Sequence, residues 1–99
     1  MEEIVAERDL IGIDPEGSEF QIMLKIGKPY AVDSEQWACP VGAIGLYRRL
    51  REVRGKDPLQ ALMRAFKLLR QMLEFFIDDG GRLLSIEDSS PIDVTEIFD

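Results

Sequence analysis

Arg48, Arg49, Arg51 and Arg54 crowd one short segment around a single carboxylate, Glu52, with Lys56 just beyond. Guanidinium groups beside a carboxylate suit a phosphorylated or acidic small molecule, which they hold by paired hydrogen bonds; they suit an acidic protein surface equally. Their other use is internal, as counter-charge to acidic segments elsewhere in the chain. Two further groups have chemical potential. Cys39 stands between Ala38 and Pro40 beside Trp37, a setting that fits a small packed residue better than an activated thiol. Asp78 and Asp79 are adjacent carboxylates without further oxygen ligands at loop spacing, which fits a solvated helix end better than a cation site.

The chain has no histidine, so the usual general base, the usual transition-metal ligand and the usual partner of a nucleophilic cysteine are missing. None of the glycines precedes a lysine-serine pair in a strand-to-helix turn, so no phosphate loop is present. The reading is a protein without catalytic residues, cofactor or metal. The alternative is a small enzyme or ligand-binding domain that works with arginine and carboxylate alone; a pocket that joins Arg48, Arg49 or Arg51 to Glu52 would favour it.

The charge distribution is uneven. Residues 1–36 hold nine acids and three bases, 37–82 five and nine, and 83–99 five and none, within a net charge of −7. An acidic whole opposes binding to phosphate backbones and anionic membranes, so nucleic acid and membrane are not expected partners. A protein partner is expected, of basic character, steered by the acidic ends. No apolar run approaches a membrane span, the first residues are acidic where a secretory signal is basic, and a lone cysteine fits a reducing compartment. A cytoplasmic location follows as an expectation.

These residues need elements to hold them. Ile4–Ile13 is rich in aliphatic residues and runs into Asp14-Pro15-Glu16-Gly17, the residues of a hairpin turn. Phe20, Ile22, Leu24 and Ile26 then alternate with Glu19, Gln21, Met23 and Lys25, as a strand with one buried face requires. Residues 37–46 alternate too, but Pro40, Gly42 and Gly45 predict an edge or bulged strand. Residues 50–53 form a fourth strand, or 47–52 a turn of helix.

Asp57-Pro58-Leu59-Gln60 carries a capping aspartate, a first-turn proline and a glutamine three residues after the cap, which together open a helix. It runs to about residue 77 and stops at Gly80-Gly81. Leu62, Phe66, Leu69, Leu73 and Phe76 fall on the stripe expected to face a sheet. Ala61, Leu68 and Phe75 lie outside it, and Leu68 and Phe75 are candidate contacts of a homodimer. A last strand is expected within 82–87.

The predicted fold class is α+β: a four- or five-stranded, mainly antiparallel sheet with one long helix packed on one face. It forms a single domain over 1–88, followed by an acidic tail, 89–99, whose Ile92, Val94 and Phe98 are candidate interface residues. Removal of that tail is expected to weaken a contact without unfolding the domain.

Ile4-Val5-Ala6-Glu7-Arg8, Ile26-Gly27-Lys28-Pro29, Trp37-Ala38-Cys39-Pro40, Ile44-Gly45-Leu46 and the helix opening at Gly55-Lys56-Asp57-Pro58-Leu59-Gln60-Ala61-Leu62 follow one another in an order that resembles a family of small bacterial domains of unknown function. The resemblance covers roughly residues 4–76. It implies a compact sheet with one long helix, and it implies no activity. By analogy of type, small acidic bacterial domains of this kind include immunity and inhibitor proteins of basic toxins.

Overall fold

In the computed structural model, which describes residues 3–98, the alternating segments form strands β1 (Ile4–Ile13), β2 (Glu19–Gly27), β3 (Tyr30–Ala31), β4 (Trp37–Ile44), β5 (Arg51–Gly55) and β6 (Arg82–Ser85). Helix α1 (Pro58–Asp78) and a short α2 (Val94–Phe98) complete the order. All the strand pairings are antiparallel. β2 and β3 lie along one side of β4, β5 along the other, and β1 separates β2 from β6. The architecture is the expected α+β arrangement of one long helix on an antiparallel sheet. Among the described residues it has six strands where four or five were expected, because the two-residue β3 is too short to leave a pattern in the sequence.

Residues 37–44 are interior to the sheet and not an edge. Val41 pairs with Ile26 on one side and with Arg51 on the other. The bulge lies in the neighbour: Ile26 meets Val41 and Tyr30 meets Ala38, so Gly27, Lys28 and Pro29 oppose only Cys39 and Pro40. Pro40 is accommodated where the ladder is already interrupted. Residues 46–50 are loop, and the strand after them begins at Arg51.

α1 starts and stops as its end residues dictate. Asp57 accepts from the Gln60 amide at 2.7 Å, and the Gln60 side chain accepts from the Lys56 amide at 2.8 Å, a reciprocal cap shifted one residue outward. At the other end the Gly80 amide donates to Ile77 and the Gly81 amide to Phe76, both at 2.9 Å, with Gly80 at φ +101. This is the left-handed closure that glycine adopts at least cost.

The helix is rotated from the expected stripe. Ala61, Ala65, Leu69, Met72, Leu73 and Phe76 are its buried residues, whereas Phe66 is 40% exposed. The cause lies in β5. A Cβ at Gly55 would stand 2.5 Å from the Ala61 nitrogen, so helix and strand meet here at backbone distance and only small side chains fit between them. Larger residues fill the widening space further along, where Phe76 meets Phe20 edge to face at 5.7 Å.

Residues after Asp88 are not a separate tail. The Asp88 carboxylate accepts from the Ser90 amide and hydroxyl, contacts that hold it below the ordinary carboxylate range, and this turn sends the chain back along β6. The Ser85 amide donates to Ser90 and the Ile92 amide to Leu83. Val94 is 5% exposed within the core, and Ile92, Ile97 and Phe98 are half-buried against it. Acidic residues and core residues alternate here because α2 is amphipathic: Val94, Ile97 and Phe98 recur at helical spacing.

Candidate functional site

Strand register divides the side chains between two faces. Leu10, Ile22, Leu24, Val41 and Leu83 belong to the core under α1. Among the described residues, the opposite face carries no helix. Solvated sheet faces are normally polar, but this one bears a diagonal of partly buried apolar residues. Leu84 pairs with Ile11, Met23 pairs with Ile44, and Ile11 lies diagonally from Met23. Glu7, Asp9 and Glu19 border that diagonal on the same face, with Lys25 opposite Glu7 and Arg82 opposite Ile13.

The far end of the face is chemically different. Tyr30, Ala38 and Arg54 stand side by side across β3, β4 and β5, with Pro40 and Glu52 in the next row. Ala38 is small enough for the Tyr30 hydroxyl to reach over β4 and donate to Glu52. Lys28, Pro29, Leu50 and Arg51 complete a groove of about 930 Å³ around them, with Glu3 paired to Lys28 at 3.4 Å. The Glu52 carboxylate also has the Arg54 guanidinium at 4.0 Å.

The bond to Glu52 raises the Tyr30 pKa above the ordinary tyrosine value, because ionisation would set phenolate against carboxylate. A phenol held neutral is a donor and not a base, and Glu52 is already engaged. The groove is therefore equipped to bind a polar or anionic group more than to move a proton. The raised value also fixes a sign: the contact contributes below the ordinary tyrosine range and is lost as pH rises through the elevated pKa. In a Tyr47→Phe background, Tyr30 should ionise above the usual tyrosine pH by ultraviolet titration, and Glu52→Gln should bring it down. Unchanged ionisation in the Gln variant would remove the bond from the account.

The four arginines are split. Arg51 lines the groove and Arg54 pairs with Glu52, whereas Arg48 and Arg49 stand on the exposed loop before β5 and do not line it. Of the candidate interface residues, Phe75 is 63% exposed, Leu68 is half-buried against the core, and Ile92, Val94 and Phe98 pack inward as described. Cys39 is fully buried, its thiol 3.3 Å from the Gly27 carbonyl and pushed up by burial, the opposite of an activated nucleophile. Asp79 is the C-cap residue of α1. Among the described residues, no three Cys, Asp or Glu side chains gather as metal ligands, and no helix is long and apolar enough to cross a membrane.

Tyr30, Lys28, Pro40 and Leu50 were not marked by the sequence, and no local pattern could have marked them. Their proximity comes from register across three strands. Leu59 and Met63 form a second exposed apolar pair, on the outer flank of α1. Their spacing of four was legible in the helix. No family model, curated protein or solved structure matches the chain. The resemblance of its short motifs consequently lends no residue a role.

Proposed function

We propose that this protein is a non-enzymatic protein-binding module whose contact face is the helix-free side of the sheet, and whose partner is basic. The observation that carries the reading is the diagonal Leu84, Ile11, Met23 and Ile44, apolar where a solvated face would be polar, with Glu7, Asp9 and Glu19 at its border. Acidic groups around an apolar centre steer a cationic partner and leave short-range contact to the apolar side chains. The net charge of −7 acts in the same direction. An inhibitor or immunity role toward a basic protein is the most specific form of this reading.

The test is affinity capture from the source cells with wild-type protein, Met23→Glu and Phe75→Glu, beside light scattering of each. The expected result is a basic protein recovered with wild type, weakened by salt and reduced roughly tenfold or more by Met23→Glu. Phe75→Glu should leave recovery unchanged. Recovery insensitive to Met23→Glu would overturn the reading. A wild-type dimer lost in Phe75→Glu would instead assign the outer flank of α1 to self-association.

The groove favours a second reading, a site for a small phosphorylated or acidic molecule, because Arg51 and Glu52 meet in one concavity with Tyr30. Inorganic phosphate that perturbs the Tyr30 titration in wild type but not in Arg51→Ala would support it.

A further inference from the structure

We infer that the outer edge of β1 over residues 6–9 is a strand-addition site for an extended segment of the partner, one that carries Lys or Arg at every second position. The inference rests on the protein-binding reading above and specifies how the partner is held. β1 is ten residues long, but β6 pairs with it only over Leu10, Ile11, Gly12 and Ile13. Ile4 and residues 6–9 pair with β2 alone, Val5 between them is the extra residue of a bulge, and all six are exposed, so the regular free edge is residues 6–9.

The direction of the free backbone groups follows from the ladder. The Asp14 amide donates toward β2, to Ser18 at 2.9 Å, and successive residues alternate. Gly12, Leu10 and Arg8 accordingly point toward β2, and Glu7 and Asp9 direct their N–H and C=O groups outward. The same alternation turns Leu83 and Ser85 of β6 outward, and there the returning chain meets them: Ile92 donates to Leu83 at 3.0 Å and Ser85 to Ser90 at 2.8 Å. On β5, the Arg64 guanidinium covers the Arg54 carbonyl at 3.1 Å. Among the described residues, no backbone group meets the outward groups of Glu7 and Asp9.

A second copy of the chain does not fit this edge. A two-fold axis through an antiparallel pair of β1 strands keeps the faces of the sheet together. The registers centred on Glu7 and on Arg8 pair the regular free edge, residues 6–9, most fully, because the bulge at Val5 breaks one centred on Ala6. The first sets Glu7 against Glu7, and the second sets Glu7 against Asp9 and Arg8 against Arg8; like charges directly opposite are destabilising. A foreign strand with Lys or Arg facing Glu7 and Asp9 meets opposite charge at both positions on the helix-free face, with Lys25 of β2 on the far side of Glu7. Such a segment would extend the proposed contact face by one strand.

The test uses the full chain, isotopically labelled, with three ten-residue probes of alternating Lys-Val, Glu-Val and Lys-Gly at low salt. Amide hydrogen exchange at Glu7 and Asp9 should slow at least tenfold with Lys-Val and not with Glu-Val or Lys-Gly. Glu7→Gln combined with Asp9→Asn should lose most of that protection, and Glu7→Pro should abolish it. If the proline variant does not fold, the amide variant decides. Equal protection by Glu-Val, protection by Lys-Gly, or none by Lys-Val would overturn the inference, as would protection of both amides in a dimer without peptide. A partner whose capture needs Met23 while Lys-Val protects nothing would sink strand addition and leave the contact face standing. Protection by Lys-Val with capture insensitive to Met23→Glu would do the reverse.

Discussion

Replacing Leu73 with alanine should lower the unfolding free energy by about 2–5 kcal/mol, the range for a fully buried leucine that leaves a cavity. Leu73 is inaccessible to solvent at the centre of the α1–sheet interface. Phe66 is the informative control, since a simple helical projection puts it on the same stripe while the structure leaves it 40% exposed. Phe66→Ala should cost only a fraction of the Leu73→Ala loss. Urea midpoints at unchanged slope would report both. A larger loss at Phe66 than at Leu73 would mean the helix sits on the sheet by its other flank.

Ending the chain at Ser90 should cost about 3 kcal/mol or more, because burial of one valine contributes about 1.5–3 kcal/mol and three half-buried apolar residues leave with Val94. The hydrogen bond from Ile92 to Leu83 is lost as well. On a domain of this size the melting temperature should fall by more than about 10 °C. A shortened chain that melts within a few degrees of the full one would show that α2 lies on the core without holding it. Val94 is buried in the core, so removal of the segment disturbs the folded unit and truncation is unsuitable as a probe of partner contact.

The parts of the fold written in local chemistry were legible. Asp57, Pro58 and Gln60 specify a helix start by their own hydrogen bonds, Gly80 specifies its end by its backbone freedom, and the alternation from Phe20 to Ile26 specifies a strand with a buried face. What could not be read depends on the partner of each element. Ala61 is buried in place of Phe66 because Gly55, from another strand, brings the helix close. Pro40 sits inside the sheet because a bulge in β2 and β3 lies opposite. Tyr30 and Glu52 meet because β4 between them carries alanine at 38. The acidic residues of 89–98 masked a helical spacing that was present all along in Val94, Ile97 and Phe98. The helix-free face was half legible: Met23 was placed on the outer side of its strand, but its apolar neighbours Ile11, Ile44 and Leu84 come from three other strands.

The placement of β1 between the second strand and the sixth also governs the order in which the molecule can be made. β1 and β2 are neighbours in sequence and can close as a hairpin early in synthesis, before α1 exists. The strand that covers part of the outer side of β1 is supplied only at Arg82–Ser85, after the whole helix. Until then the nascent chain exposes the full length of β1, apolar residues included, in the presence of other nascent chains, and unpaired strands of this kind are the usual seeds of aggregation. Glu7, Arg8 and Asp9 interrupt the apolar run at its middle, where charges act as gatekeepers against pairing with identical strands. Glu7 and Asp9, the carboxylates of the proposed strand-addition edge, thus act with Arg8 to protect the unfinished chain from its own copies.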